Sequence, residues 1–174
     1  MRKLTVTLLS ATVLAGAAYY STQCSEAMMP EKPEYCLKRM VVLSSPDGND
    51  VLRIQAEQAV TQGQKEKGLM YRKEMPFDSG MIFHWPKPQP IYMWMKNTFI
   101  PLDMVFALNG TVTGVVEASK TESEDVLTVP GKTDTVLEVN LGVATSKGVT
   151  KGWTIKSTNC IPVSPEEQKK MRSY

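Results

Sequence analysis

The sequence predicts a mainly β domain, a small antiparallel barrel or sandwich carrying one or two short helices. Short apolar and β-branched runs recur along the chain, dense turn signals such as Pro46-Asp47-Gly48-Asn49-Asp50 and Asn109-Gly110 separate them, and only brief segments carry helical signatures. No internal repeat or low-complexity tract interrupts this pattern.

Arg39 to Ser45 is apolar and β-branched. After the turn, Leu52, Ile54 and Ala56 alternate with Arg53, Gln55 and Glu57, so a hairpin is expected whose second strand shows one face to water. Thr61 followed by Gln64 is a capping-box pattern and predicts a short polar helix from Gln62 to Lys67, ended near Gly68. Met81 to Trp85 reads as a buried strand. Pro86, Pro88 and Pro90 lack ladder donors, so a loop is expected there, followed by another strand over Ile91 to Met95. Met104 to Leu108 and Thr111 to Ala118 flank Asn109-Gly110, a pair suited to a two-residue turn with positive φ. Ser119 to Lys132 is polar and predicts a surface loop. Val136 to Leu141 and Trp153 to Lys156 read as late strands on either side of a helical turn around Ala144 to Lys147.

The 174-residue chain opens with a charged start at Arg2 and Lys3, an apolar stretch from Leu4 to Ala18 and a small-x-small site at Ser25-Glu26-Ala27, the layout of a secretory signal over 1–27. An uncleaved anchor or a lipid on Cys24 is the rival reading, although Gln23 suits lipidation poorly. Removing 27 of 174 residues leaves 147, the size of one domain with one core. Residues 28–34 then form a flexible lead-in, 35–163 a single β domain, and 164–174 a charged tail with at most a loose helix. Taking Arg2, Lys3 and Glu26 from 20 basic and 18 acidic residues leaves 18 and 17, with no block of like charge for nucleic acid. The expected product is periplasmic or extracellular, monomeric, and without an integral membrane segment or nucleic-acid partner. Cleavage would leave Cys36 and Cys160, an even pair in an oxidising compartment, and a bridge between them is the simplest reading.

The densest run of functional side chains is Trp94-Met95-Lys96-Asn97-Thr98, followed by Pro101-Leu102-Asp103. Strand alternation sets Trp94 and Lys96 on one face, an aromatic beside a cation, with Met93, Met95 and Asn97 on the other. Asp103 stands at the rim of the sheet with Lys96 or Arg72 as its partner. Stacking with a few directed polar groups is the chemistry of a small-ligand or sugar site. The expected binding residues are therefore Arg72, Trp94, Lys96, Asn97 and Asp103. The competing reading gives Asn97 and Asp103 to turn capping alone.

Thr61, Gly68-Leu69-Met70 with Arg72, Gly80-Met81-Ile82-Phe83, Trp94 to Thr98 and Ile100-Pro101-Leu102-Asp103 together resemble the domain-of-unknown-function family numbered 192. The resemblance spans Val51 to Ile155 and implies a compact β fold with a short helix, often exported, and no established activity. His84-Trp85 departs from the family's more usual aliphatic or aromatic continuation.

A single histidine, His84, excludes a three-histidine zinc site and any histidine pair, and no cofactor or metal is expected. Copper(I) held by Met93, Met95 and His84 is disfavoured because the methionines point away from Trp94. A cysteine nucleophile would need a thiol that the disulfide consumes. A hydrolase using Asp103 with Glu117 or Glu138 is the surviving enzyme alternative. A structural or partner-binding module without a small-molecule site is the third class.

Overall fold

The computed structural model describes residues 36–173. The signal, lead-in and domain-start expectations over 1–35 lie outside the described residues. Seven strands form one sheet: β1 (Lys38–Ser44), β2 (Val51–Ala59), β3 (Ser79–Gln89), β4 (Leu102–Leu108), β5 (Thr111–Ala118), β6 (Thr133–Asn140) and β7 (Thr154–Cys160). Helix α1 (Gln62–Lys67) follows β2, a 3-10 turn (Thr145–Lys147) precedes β7, and α2 (Pro165–Ser173) ends the described chain. The strand order β1-β2-β3-β6-β4-β5-β7 closes on itself into a barrel, as β7 pairs with β1 along most of its length and with β5 at Thr111–Thr154. The fold is mainly β, as predicted. One neighbouring pair, β2 with β3, is parallel, and α1 begins the crossover that joins them.

Local rules account for the elements. Thr61 Oγ1 accepts from Gln64 N while Gln64 Oε1 accepts from Thr61 N, the reciprocal cap read from the sequence. Asn109 and Gly110 both take positive φ, 48° and 75°, and the β4–β5 hairpin turns there.

Two sequence expectations need correction. The proline-rich stretch is not a loop: β3 runs on through Pro86 and Pro88 to Gln89. Pairing with β6 lapses between His84–Thr135 and Gln89–Thr133, so the prolines occupy extended backbone where no ladder donor is required. Ile91 to Met95 is not a strand, because it makes only a single bridge, Met93 to Leu127. Its alternation is real and records burial on one side: Ile91 and Met95 are buried while Tyr92 and Trp94 are exposed.

Alternation along the strands divides the core in two. Val41, Leu43, Ile54, Ala56, Val105 and Leu137 are among those that fill the barrel interior with Trp153 and Ile155. Met81, Phe83, Leu102, Met104, Phe106 and Val136 face outward and are covered by Leu69, Ile91, Met95, Ile100 and Val129 from the long connections. Burying a side chain of this size is worth about 1.5–3 kcal/mol. The outer layer fixes the connections over β3, β6 and β4, and a cavity opens among them. Cys36 and Cys160 are joined in a disulfide, tying the start of the described chain to the end of β7. Among the described residues, no helix is long and apolar enough to cross a membrane.

Candidate functional site

On the outward row of the sheet, Glu57 of β2, Met81 of β3, Glu138 of β6 and Met104 of β4 stand side by side in register. Two carboxylates thus occupy a surface that the connections cover. Arg72, arriving after the 68–70 turn, donates from Nη1 and Nη2 to both oxygens of Glu57 at 2.7 and 2.6 Å. Glu138 is 4% exposed. Burial pushes its carboxyl up to about 8, against the opposing pull of the Arg72 guanidinium. At neutral pH it is largely protonated, a hydrogen-bond donor in place of a fixed charge.

Glu138 lines a cavity of about 280 Å³ bounded by α1, the Gly68–Met70 turn, β3 and the connection from Gln89 to Trp94. Gly68, with φ of 49°, leaves room there: a Cβ would stand 3.4 Å from the Phe83 ring and 3.9 Å from Glu138 Oε2. Phe83 and Trp85 stack with centroids 6.2 Å apart, and Lys65 Nζ lies 4.9 Å from the centre of the Trp85 ring. Burial lowers the Lys65 pKa from its ordinary value. Trp94 also lines the cavity and is 45% exposed, so part of its indole meets solvent. The cavity therefore offers aromatic surfaces, a carboxylic acid and cations at its rim.

The five expected binding residues divide. Trp94 is in the cavity wall. Lys96 Nζ sits 5.3 Å from the centre of the Trp94 ring and 3.0 Å from Glu124, holding the ring from outside. Arg72 acts on the cavity through Glu138. Asn97, with φ of 53°, donates to Tyr71 Oη at 2.9 Å and accepts from Tyr71 N at 2.8 Å, locking its segment to the 68–72 turn. Asp103 lies apart, 0% exposed: its Oδ2 accepts from Ala144 N, Thr145 N and Thr145 Oγ1 at 2.8, 3.0 and 3.2 Å, fixing the start of the 3-10 turn. It faces the barrel interior with Val105 and its ladder neighbour Val139, whereas the paired Met104 and Glu138 face outward, so Asp103 and Glu138 occupy opposite faces of the sheet. His84 lines a different cavity from Trp94, which separates the soft-ligand set considered for copper. Among the described residues no group of three His, Cys, Asp or Glu side chains is placed to hold a metal ion.

Glu138 is the residue that the sequence reading undervalued. Its signal is a carboxylate within Val136-Leu137-Glu138-Val139, a run otherwise apolar on both faces. Gly68, Leu69, Met70, Phe83, Trp94 and Thr98, all from the motifs that carry the family resemblance, converge on the same cavity.

Solved structures include chains similar to this one. One is described as a putative transcription regulator from Sinorhizobium meliloti 1021, 36% identical, with a TM-score of 0.66 over 69% of this chain and 93% of that one. Another is a protein of unknown function from Novosphingobium aromaticivorans DSM 12444, 32% identical, with a TM-score of 0.64 over 75% of this chain and 94% of that one. No curated protein matches the chain. The family model of DUF192, described as an uncharacterized ACR, matches residues 42–157, and the chain belongs to that family.

Proposed function

We propose that the protein is an exported, monomeric binding domain for a small, hydroxyl-rich ligand of the sugar type, taken up in the cavity between α1 and the 89–98 connection. The observation that carries this reading is the meeting of a half-exposed indole, Trp94, with the buried carboxyl of Glu138 in one cavity. A sugar ring presents an apolar face for stacking and oxygens that accept from a protonated carboxyl. At about 280 Å³ the cavity is of a size for one or two rings. Lys65 and Lys67 at its edge add tolerance for an acidic substituent. Lys96 and Arg72 support the site by steadying Trp94 and setting the field at Glu138. The Cys36–Cys160 bridge favours export, because disulfides persist in oxidising compartments.

A binding role fits better than the hydrolase alternative. Glycoside hydrolysis uses two carboxyl groups flanking one bond, whereas Asp103 is on the far side of the sheet from Glu138 and, beside its cross-strand neighbour Glu117, is fully buried with Oδ2 committed to Ala144 and Thr145. The test is a titration of the protein with neutral and acidic mono- and disaccharides, read by tryptophan fluorescence. Saturable quenching that Trp94→Ala removes supports the proposal. Absence of any saturable change across the panel leaves the structural-module reading in its place.

A further inference from the structure

The barrel interior ends at one mouth in a set of polar side chains, and their placement follows a rule. On six strands the inward column is apolar next to this mouth and turns polar at the position that reaches it. Arg39 succeeds Leu43 and Val41 on β1, Gln58 succeeds Ile54 and Ala56 on β2, and His84 succeeds Ile82 on β3. Thr135 stands before Leu137 and Val139 on β6, Asn109 follows Val105 and Ala107 from β4, and Ser157 follows Ile155 on β7. Alternation puts each of these on the inward side, one step beyond the apolar plug. They surround a cavity of about 590 Å³ with Ile82 and Ile155 on its inner side.

The carboxylate of this wall, Asp134, is buried and already engaged, accepting from Asn109 N at 2.9 Å and from Thr135 Oγ1 at 2.9 Å. Since the Thr135 hydroxyl proton goes to Asp134, the 3.3 Å contact with His84 makes Nδ1–H the donor to Thr135 Oγ1 and turns Nε2 away from that bond. Arg39 Nη1 donates to Thr158 O at 3.1 Å, which fixes the guanidinium at the mouth, and among the described residues it forms no ion pair. A mouth with a fixed guanidinium, amide and hydroxyl groups, and an apolar floor, is complementary to an anionic head on an apolar body.

We propose that this barrel mouth is a second binding site, independent of the Trp94 cavity, for a small molecule carrying a carboxylate or phosphate on a short hydrocarbon body. Arg39 holds the anion, Ser157 and Asn109 contribute hydrogen bonds, and Ile82 and Ile155 receive the apolar part.

The test is a titration of the full chain, followed by backbone amide NMR, with hexanoate and hexyl phosphate as probes and hexyl glucoside as the uncharged control. The site predicts saturable shifts at Arg39, His84, Asn109 and Ser157 for at least one anionic probe, with the signals of Gly68 to Met70 unmoved. Arg39→Gln should weaken binding about tenfold, the loss expected for one charge-assisted hydrogen bond, and Ser157→Ala should weaken it by a smaller factor. Because Arg39 also bridges β1 to β7, Ser157→Ala serves as a variant with no such structural bond. Response to hexanoate but not hexyl phosphate, or the reverse, assigns the head group. No saturable shift at the mouth, equal response to the glucoside, or undiminished affinity in Arg39→Gln and Ser157→Ala would overturn the proposal.

Discussion

Arg72 grips both oxygens of Glu57, at 2.7 and 2.6 Å, and its positive charge reaches Glu138 without relieving that residue's burial. The three groups form a triad in which one carboxylate is satisfied and the other stays protonated. A guanidinium is suited to this, since its planar fork can be committed to one carboxylate while its charge acts on a second.

The first prediction concerns pH. Glu138 has a folded pKa near 8 against an ordinary value of 4.5, so between these limits the folded state binds more protons than the unfolded state. Stability is then greatest below the lower value and falls as pH rises toward 8, at up to about 1.4 kcal/mol per unit from this group alone. Glu138→Gln removes that slope. Denaturant melts at pH 5 and pH 8 on both proteins check it, and parallel pH dependences in the two would refute the assignment.

Removing the guanidinium moves Glu138 further in the same direction. Arg72→Met takes away the charge that opposes the burial effect, so the Glu138 midpoint should rise above about 8, as read by carboxyl-carbon NMR. It also leaves the partly buried Glu57 without its bidentate partner, at a cost of about 2 kcal/mol. A midpoint that stays in place would mean that Arg72 does not act on the cavity.

Asp103 and Trp94 should respond in opposite ways. Asp103→Ala leaves two backbone N–H groups and a hydroxyl at the 3-10 turn without their acceptor, at a cost of about 1–3 kcal/mol, while Trp94 ligand binding is preserved. Trp94→Ala truncates a half-exposed ring and should cost only about 1 kcal/mol while abolishing saccharide binding. Thermal unfolding set beside a binding titration separates the roles. A severe fold loss from Trp94→Ala with no ligand found for the parent would remove the binding reading.

Where the sequence was readable, a local rule decided the structure. The Thr61–Gln64 cap, the Asn109-Gly110 turn and the alternation of β2 needed nothing beyond their own segment. Pro86 and Pro88 misled because a strand can carry prolines where its partner slips register, and that lapse is a property of β6 as much as of β3. Trp94 could be picked out because a ring beside a cation on one side of an alternating segment is visible in order. Glu138 could not, because an acidic residue on a strand normally marks the solvent face. Only the packing of Leu69, Ile91 and Met95 over the outer sheet makes that face an interior. Asp103 failed as a rim residue for a related reason: its inward direction is set by the closure of the barrel, which no single segment encodes.

The last prediction concerns the disulfide. Cys36 and Cys160 are 124 residues apart in sequence with Cα atoms 5.5 Å apart, so their bond closes nearly the whole described fold into one loop. In the chain-entropy account a loop of that length restricts the unfolded state by about 4 to 5 kcal/mol, close to the upper end of what a single bridge contributes. The native state has other ties at the same place: Ile161 N donates to Lys38 O at 2.9 Å, and Lys38 Nζ pairs with Glu167 of α2 at 3.0 Å. Reduction should therefore lower the melting temperature strongly while leaving the β-sheet circular dichroism intact at room temperature. Cys36→Ser with Cys160→Ser should reproduce the reduced protein. Thiol labelling after denaturation of the oxidised parent should leave both Cys36 and Cys160 unmodified. Labelling of both in freshly isolated protein, or a melting temperature indifferent to reductant, would show that the bridge does not form or does not hold the fold.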